Sequence, residues 1–498
     1  MLISSFVTLS LLASQASLAL AKANLPPIPA DKSTPIHQRL SLTAPQTISV
    51  AWNTYEKLAK PCVQYGESES SLTQTACSTS SVTYKTSRTW ANSVRIDGLK
   101  PATKYYYKIV STNSTADFFQ TGREAGDMTP FTMVTLADLG VVGPDGYTLN
   151  GDASKRDTIP QVDPSLEHTT ISQLAKSVAD YEFIIHPGDL AYADDWQEKT
   201  HNQGDGQNAY EAIIEQFYDQ LAPVSGRKPY MVSPGNHEAD CIEGGYKLGV
   251  CPQGQYNFTD FMNRFGAISP AAYPSSSQNA AAIANAKKAR SLAVPPFWFS
   301  FDYGQVHIAM IDTETDFTNS PDGPGTTLDA GNFGSVGQQM AFLEADLASV
   351  DRSVTPWVIV AGHRPWYTAG SGACKPCQAA FEKTLYKYGV DLAAFGHVHN
   401  LQRYAPVYNN TADAAGYNNP KAPMYVVIGG AGNIEGHSSI TPRQSYNEFA
   451  YNDSFGYGTL TFHNRTHLEV KFINSVNGSV LDQSMLYKEH KDNFVNQS

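Results

Sequence analysis

The pattern of hydrophobic and polar positions divides the chain into two parts. From Ser33 to Thr121, short runs of alternating or β-branched and aromatic residues predict strands, for example Ile48–Trp52 and Tyr105–Val110. From Phe131 onwards, strand-like runs alternate with longer runs that have helical periodicity. Alternation of this kind is typical of parallel or mixed sheets that are covered by helices. We therefore expect an all-β sandwich followed by an α/β domain.

The same pattern assigns the individual elements of the second part. Strands are predicted at Phe131–Ala137, Phe183–His186, Tyr230–Ser233, Trp298–Ile311, Trp357–Ala361, Asp391–Phe395 and Met424–Ile428. Helices are predicted at Thr170–Ala179, Tyr210–Leu221, Gln338–Val350 and Gln378–Tyr388. We interpret the Ser-, Ala- and Asn-rich stretch Ser275–Ala293 as a surface insertion, and residues 455–487 as a terminal β segment. The expected domains are residues 33–122 and 128–490.

Charge and the N-terminal segment restrict the class of protein. The chain has 35 basic and 47 acidic side chains, a net charge of −12, and no cluster of Lys and Arg. A nucleic-acid-binding protein needs a basic surface, so that class is excluded. The uncharged segment Met1–Ala21 ends in Ala19-Leu20-Ala21, which is typical of a signal peptide cleavage site. No later run is apolar over about 18 residues, so we expect a secreted protein, free or wall-associated, without membrane partners.

Glycosylation and disulfide bonds fit that location. Seven N-x-S/T sequons predict N-linked glycans at Asn113, Asn257, Asn409, Asn452, Asn464, Asn477 and Asn496. Local pairing is the simplest of the 15 connectivities open to six cysteines, and it gives the pairs Cys62/Cys77, Cys241/Cys251 and Cys374/Cys377. The last pair could also be a redox motif, but no thioredoxin-like sequence surrounds it.

Polar residues with metal-binding side chains follow five of the predicted strands. They lie in the runs Asp138-Leu139-Gly140, Gly188-Asp189-Leu190-Ala191-Tyr192, Gly235-Asn236-His237-Glu238, Val360-Ala361-Gly362-His363 and Gly396-His397-Val398-His399. Because ligands bind at the carboxyl ends of strands in open α/β sheets, we expect these side chains to converge there. Oxygen donors combined with imidazoles, without thiolates, exclude an iron–sulfur site and favour Fe, Mn or Zn.

Four of these residues carry more specific information about the metals. A phenol has a pKa near 10, so Tyr192 as a ligand in neutral or acidic solution requires a strongly acidic cation, and ferric iron is the obvious candidate. Asp189 is the natural carboxylate to bridge two cations. His397 and His399 lie two positions apart and could each reach one of two neighbouring ions.

The five motifs, in this order, resemble those of purple acid phosphatases in the calcineurin-like metallophosphoesterase superfamily. They follow the run Leu99–Tyr105, which resembles the L-x-P-x-T-x-Y corner of fibronectin type III domains. The resemblance extends from about Lys32 to the C-terminus. It implies a fibronectin-like sandwich followed by two mixed β-sheets that pack together and are flanked by helices. It also implies an acid phosphatase in which a metal-bound hydroxide at an Fe(III)–M(II) centre hydrolyses small phosphate monoesters.

The resemblance also gives each motif residue a role. Fe(III) would be held by Asp138, Asp189, Tyr192 and His399. A divalent Zn, Mn or Fe would be held by Asp189, Asn236, His363 and His397. His237 would contact the substrate phosphate or protonate the leaving group.

The sequence departs from the plant members of the family, which carry extra histidines shortly after the position of His363. No histidine lies between His363 and His397 here, and we hypothesise that Lys375 or Arg364 supplies positive charge towards the phosphate. The residues leave open a phytate-preferring or phosphodiesterase variant, an adhesion or wall-binding glycoprotein with a silent metal site, and a redox enzyme. The oligomeric state is not predicted.

Overall fold

The N-terminal part of the chain folds into two antiparallel four-stranded sheets. The structure is a computed structural model that describes residues 25–111, 114–141, 169–198, 206–240 and 256–497. The strand orders are β1-β2-β6-β5 and β4-β3-β7-β8. Their bounds are β1 Ile36–Ala44, β2 Thr47–Thr54, β3 Cys62–Gly66, β4 Gln74–Cys77, β5 Ser81–Val82, β6 Trp90–Ile96, β7 Lys104–Ile109 and β8 Asp117–Gln120. The predicted sandwich is therefore confirmed.

Two side chains show why this part of the sequence forms a sandwich. Trp52 on β2 is fully buried in the core that the two sheets share with the neighbouring domain. The hydroxyl of Tyr105 accepts a hydrogen bond from the backbone N–H of Lys100 at 3.2 Å, as the fibronectin-like corner predicts. The predicted signal peptide, residues 1–21, lies outside the described residues.

The second part contains a six-stranded and a seven-stranded mixed sheet. Their orders are β11-β10-β9-β21-β22-β23 and β12-β13-β14-β15-β19-β16-β20, and β17 pairs with β18. The bounds are β9 Phe131–Thr135, β10 Ile184–Pro187, β11 Tyr230–Ser233, β12 Phe299–Tyr303, β13 Val306–Met310, β14 Trp357–Ala361, β15 Leu392–Phe395, β16 Leu401–Tyr404, β17 Val407–Tyr408, β18 Thr411–Ala412, β19 Met424–Ile428, β20 Asn447–Tyr451, β21 Gly456–Asn464, β22 His467–Asn474 and β23 Val480–Tyr487.

Alternate residues of both sheets meet in one core, and helices cover the other faces. Met133 and Ile185 of the first sheet share a core with Ile308 and Ile359 of the second, while Val134 and Val360 belong to the core shared with the helices. The helices are α1 Thr169–Lys176, α2 Ala193–Glu198, α3 Gly206–Ser225, α4 Asn236–Ala239, α5 Thr259–Phe265, α6 Ala280–Leu292, α7 Gln338–Leu347, α8 Lys375–Cys377 and α9 Lys383–Lys387, with a π-helical turn Gln378–Glu382 between the last two. This architecture confirms the predicted fold class.

Parallel pairing places the carboxyl ends of several strands together. Strands β9, β10 and β11 are parallel, and so are β13, β14, β15 and β19. None of the helices in the described part of the chain is long and apolar enough to cross a membrane. We propose that the two domains extend over residues 33–122 and 128–490, as expected from the sequence.

One helix was not predicted from the sequence. The stretch Ser275–Ala293, interpreted as a surface insertion, contains the three-turn helix α6. Alanine has the highest helix propensity, and Asn279 caps the helix by accepting hydrogen bonds from the N–H groups of Ala281 and Ala282. Ala282, Ala286 and Ala289 form its buried face, so small side chains replace the large apolar stripe that usually signals a helix.

Two of the three predicted disulfides are present. Cys62 pairs with Cys77 and Cys374 with Cys377, while Cys241 and Cys251 lie outside the described residues. The sequon asparagines Asn257, Asn409, Asn464, Asn477 and Asn496 are exposed, and Asn113 lies outside the described residues. Asn452 is half-buried and donates a hydrogen bond from Nδ2 to the carbonyl of Ser438 at 3.0 Å.

A pair of carboxyl groups is buried where the sandwich meets the second domain. The Oη atom of Tyr84 lies 2.9 Å from Oδ1 of Asp260 and 3.1 Å from Oε1 of Glu211. A phenol has one hydrogen to donate, so both contacts are hydrogen bonds only if a carboxyl group brings its own proton. Asp260 forms an ion pair with Arg264 at 2.8 Å, which leaves Glu211 as the protonated group. Burial and the nearby charge of Asp260 raise the pKa of Glu211 to about 8.

The buried Glu211 predicts a stability that falls as the pH rises. Between the ordinary pKa of 4.5 and about 8, the folded chain holds a proton that the unfolded chain releases, so the free energy of unfolding decreases across this interval. We expect Glu211→Gln, which cannot ionise, to raise the thermal midpoint near pH 8 by at least about 3 °C and to flatten its pH dependence. Scanning calorimetry between about pH 5 and 8 measures this change. Glu69→Gln, a substitution at an exposed position, is the control. If the thermal midpoint of Glu211→Gln changed with pH in parallel to that of the wild type, the prediction would be contradicted.

Candidate metal centre

The predicted ligands follow the parallel strands of both sheets. Asp138 follows β9, Asp189 and Tyr192 follow β10, and Asn236 begins the short helix α4 after β11. The histidines come from the seven-stranded sheet, with His363 after β14 and His397 and His399 after β15. The structure brings all seven side chains to one place between the carboxyl ends of the two sheets.

Backbone conformation directs these side chains into the site. Asp138, Asp189, Tyr192 and His397 have φ values of 60°, 55°, 54° and 65°. This left-handed region is uncommon for residues other than glycine and costs free energy, so it persists only where the surrounding structure enforces it. Gly235 explains part of this enforcement, because a Cβ atom at that position would overlap the carboxylate and backbone nitrogen of Asp189.

One group of four metal donors consists of Tyr192 and three residues whose side chains contact its hydroxyl. The Oη atom lies 2.8 Å from Oδ1 of Asp138, 3.2 Å from Oδ2 of Asp189 and 2.9 Å from Nε2 of His399. His399 Nε2 also lies 3.3 Å from Asp138 Oδ1. These are the four residues that the family resemblance assigns to the ferric ion.

A second group of donors shares Asp189 with the first. His363 Nε2 lies 2.9 Å from Oδ2 of Asp189 and 3.1 Å from Oδ1 of Asn236. One donor atom each of Asp189, His363 and His397 lies within 4.8 Å of the others. The Nδ1–H of His363 donates to the carbonyl of Pro187 at 3.0 Å, which directs the Nε2 lone pair towards the site.

The spacing and chemistry of both groups fit metal ions. Two ligands at right angles, each about 2.0–2.1 Å from one ion, have donor atoms about 2.9 Å apart, which is close to the separations around Tyr192 and His363. The donors are carboxylates, a phenol, an amide oxygen and imidazoles, a set that suits Fe, Mn and Zn. Burial and the carboxylates of Asp138 and Asp189 raise the pKa of the Tyr192 phenol well above 10. The phenolate form therefore needs a strongly charged cation beside it.

His237 is held in a fixed orientation next to these donors. Its Nδ1 lies 2.7 Å from Oδ2 of Asp194, and its ring centroid lies 4.0 Å from that of Tyr192. Burial lowers the pKa of His237, but the carboxylates of Asp194 and Asp189 outweigh burial and raise it well above 6.5. The Asp194 contact fixes the tautomer and favours the protonated ring. Asp194 was not predicted from the sequence. The two acidic residues at the start of α2, directly after Tyr192, indicated a carboxylate close to this site.

The site opens into a cavity of about 310 Å³. It is lined by Asn236, His237, Ser371, Gly372, His397, Val398, His399, Glu435, Gly436, His437 and Ser438. The sequence motifs include three of these histidines, His237, His397 and His399, but not Glu435 or His437. The latter two follow the Gly-rich loop Gly429–Asn433 after β19. His437 Nδ1 lies 3.4 Å from the carbonyl of His399, and Ser438 Oγ accepts a hydrogen bond from the His399 N–H at 3.1 Å.

Neither of the two cations suggested for phosphate binding lines the cavity. Arg364 is ion-paired with Glu314 at 2.6 Å and with Asp322 at 3.1 Å, and its Nη1 lies 2.9 Å from His397 Nε2. Two carboxylates therefore neutralise this guanidinium. Lys375 has an exposed side chain and does not line the cavity. The supply of positive charge towards the phosphate by Arg364 or Lys375 stays a prediction, and Arg364 is the nearer of the two because it contacts the candidate ligand His397.

The fold and the donor arrangement define a calcineurin-like metallophosphoesterase, and comparisons with known proteins agree. The sequence matches family profiles described as purple acid phosphatase, N-terminal domain (residues 35–122), calcineurin-like phosphoesterase (163–401) and iron/zinc purple acid phosphatase-like protein C (422–483). It is also 57% identical over 488 residues to acid phosphatase A of Cryphonectria parasitica, an alignment that covers 96% of this chain and 97% of the relative. The chain belongs to the purple acid phosphatase family, as its motifs predict, and is an enzyme of the acid phosphatase class.

More distant proteins agree with this placement. An acid phosphatase of Aspergillus ficuum is 31% identical over 79% of this chain and 75% of its own length. The structure of purple acid phosphatase PPD1 from yellow lupin seeds superimposes with a TM-score of 0.62 over 92% of this chain and 75% of that one, at 22% identity. At that identity the likeness shows the fold alone. Family membership implies a dinuclear metal centre.

Proposed function

We propose that this enzyme hydrolyses small phosphate monoesters in acidic solution at a centre of one Fe(III) and one divalent Zn, Mn or Fe. The observation that carries the proposal is the pair of donor groups that share Asp189, one of them centred on the phenol of Tyr192. The adjoining cavity of about 310 Å³ can take a small ester.

The donor groups suggest how the two ions are distributed. Fe(III) would be held by Asp138, Asp189, Tyr192 and His399, because the phenolate requires the more acidic cation. The divalent ion would be held by Asp189, Asn236, His363 and His397. When bound, the two ions supply Lewis acidity towards the phosphoryl oxygens and make a water nucleophile available in acid.

The residues of the chain position the substrate and move one proton. Hydrolysis joins the oxygen of water to phosphorus, breaks the ester P–O bond and places a proton on the departing alcohol oxygen. We assign delivery of this proton to His237, whose Nδ1 faces Asp194 at 2.7 Å and whose Nε2 lies on the side of the metal donors, 3.8 Å from Oδ2 of Asp189. Because a general acid must be protonated, the raised pKa of His237 keeps the group functional throughout the acidic range.

A visible absorption spectrum tests the metal assignment. A phenolate bound to Fe(III) gives a charge-transfer band, so the purified enzyme should be coloured and contain about two metal ions per chain. Tyr192→Phe removes the phenolate oxygen and leaves the ring packed, so the band should disappear while the fold is kept.

The comparison with Tyr84→Phe controls for loss of any buried tyrosine hydroxyl, since Tyr84 lies between the domains and not at the metal centre. A colourless wild type that hydrolyses phosphate esters would contradict the ferric assignment and favour two divalent ions. A metal-loaded protein without phosphatase activity on any monoester would contradict the proposed function itself.

We also propose that the protein is secreted and glycosylated. Two disulfides stabilise the described chain, and five sequon asparagines present exposed side chains. Disulfides persist in oxidising compartments, which supports an extracellular location. Glycopeptide mass spectrometry on protein collected from culture medium tests this, and unmodified sequon peptides throughout would contradict it.

A further inference from the structure

Among the described residues that line the cavity, one carries a carboxylate. Glu435 follows the Gly-rich loop after β19, and its side chain keeps 41% of its surface exposed. The other described residues that line the cavity are histidines and small, amide or apolar residues, and none of them is Lys or Arg. A negative charge in the wall of a site that binds phosphate repels anionic groups of the substrate and attracts cationic ones.

The carboxylate of Glu435 lies beside the residue assigned to the leaving group. One of its oxygens lies within 4.8 Å of a ring nitrogen of His237 and of a carboxylate oxygen of Asp195. Its Oε2 also lies 3.5 Å from Nδ1 of His399. Because the phosphoryl group binds at the metal donors and the ester oxygen faces His237, the alcohol part of the substrate must extend past Glu435.

We propose that Glu435 selects substrates by the charge of their alcohol part, favouring phosphate monoesters of amino alcohols over those of acidic or polyphosphorylated alcohols. This inference rests on the proposed function. In phosphoethanolamine only two carbon atoms separate the ester oxygen from the ammonium, so with the ester oxygen at His237 the cation would lie in the part of the cavity where the Glu435 carboxylate stands. In 3-phosphoglycerate or a phosphorylated inositol, a second anion occupies the same region and is repelled. The known chemistry of the reaction does not change, and only the relative rates of substrates do.

Coulomb energies at this distance set the expected size of the effect. Opposite unit charges about 4–5 Å apart near a protein surface attract enough to change kcat/KM by about tenfold once screening is included. The attraction for an ammonium and the repulsion of a carboxylate have opposite signs. Removal of the charge should therefore change the two kinds of substrate in opposite directions.

The test compares three small esters on the metal-loaded enzyme at about pH 6. Phosphoethanolamine carries the cation, n-propyl phosphate has a methyl group in its place, and 3-phosphoglycerate carries an anion. We expect Glu435→Gln to lower the ratio of kcat/KM for phosphoethanolamine to kcat/KM for propyl phosphate about tenfold. The ratio of kcat/KM for 3-phosphoglycerate to kcat/KM for propyl phosphate should rise by a similar factor. If the substitution also disturbs His399 and thereby changes the rates of all three esters by one factor, that factor cancels in these ratios.

A binding measurement and a matched variant complete the test. Calorimetric titration with 2-aminoethylphosphonate and propylphosphonate should show a preference for the amine in the wild type that Glu435→Gln loses. Asp453→Asn removes the same charge from an exposed residue nearby that does not line the cavity, and should leave the ratios unchanged.

Each result decides between the two proposals. Unchanged ratios in Glu435→Gln, or equal changes in Asp453→Asn, would overturn the assignment of Glu435 while hydrolysis of propyl phosphate still supports the proposed function. If the loaded wild type hydrolysed none of the three esters, the proposed function would fail and the inference with it.

Discussion

Replacing Asp189 with asparagine is expected to remove both metal ions and to lower kcat by at least about 10³-fold. Loss of a single pre-organised electrostatic group already costs about 10²–10³ in kcat, and Asp189 belongs to both donor groups. Its Oδ2 lies 3.2 Å from Tyr192 Oη and 2.9 Å from His363 Nε2. An amide keeps the size of the side chain but loses the negative charge that a bridge between two cations requires. Metal analysis of the purified variant and steady-state kinetics measure both effects.

Two single-group variants make this prediction specific for a bridging role. Asp138→Asn changes a donor atom only in the group around Tyr192, and Asn236→Ala removes a donor atom only from the group around His363. Each should lose about one ion per chain and keep the other. If Asp189→Asn retained one ion with the same affinity as these variants, Asp189 would be an ordinary ligand of one metal, and the shared-donor arrangement would be wrong.

The seven candidate ligands could be found in the sequence because they follow recognisable strands. The strands Tyr230–Ser233, Trp357–Ala361 and Met424–Ile428 lie where the hydrophobic pattern places them. Strands that are buried on both faces are continuous apolar runs, so the polar residue that follows is conspicuous. The rule that sites form at carboxyl ends then brings together residues from Asp138 to His399.

Other features depend on packing that no local pattern reveals. Glu435 and His437 line the cavity because the loop after β19 lies beside the residues that follow β15. Asp194 contacts His237 because helix α2 packs next to it. The protonated Glu211 requires a tyrosine from the sandwich, 127 positions away in sequence, to reach the second domain. Helix α6 was missed for a different reason, since its buried face consists of alanines and lacks the usual amphipathic signal.

His237→Asn is expected to separate proton delivery from the other parts of catalysis. Asparagine can still donate to Asp194 from a position close to that of Nδ1, but it has no acidic proton for the leaving group. General acid catalysis contributes about 10²–10⁴ to the rate, so kcat for an alkyl phosphate should fall by that factor. The loss should be much smaller for 2,4-dinitrophenyl phosphate, because its leaving group departs without protonation.

Asp194→Asn gives the matched test of how the proton is held. The carboxylate of Asp194 raises the pKa of His237, so its removal should lower that pKa. A general acid loses activity as the pH rises above its pKa, and the alkaline limb of the kcat/KM profile should therefore move to lower pH in Asp194→Asn. If His237→Asn slowed both esters equally and the Asp194→Asn profile kept its alkaline limb, His237 would act by binding the phosphoryl group. The proton for the alcohol oxygen would then come from water, and the Asp194–His237 contact would serve only to orient the ring.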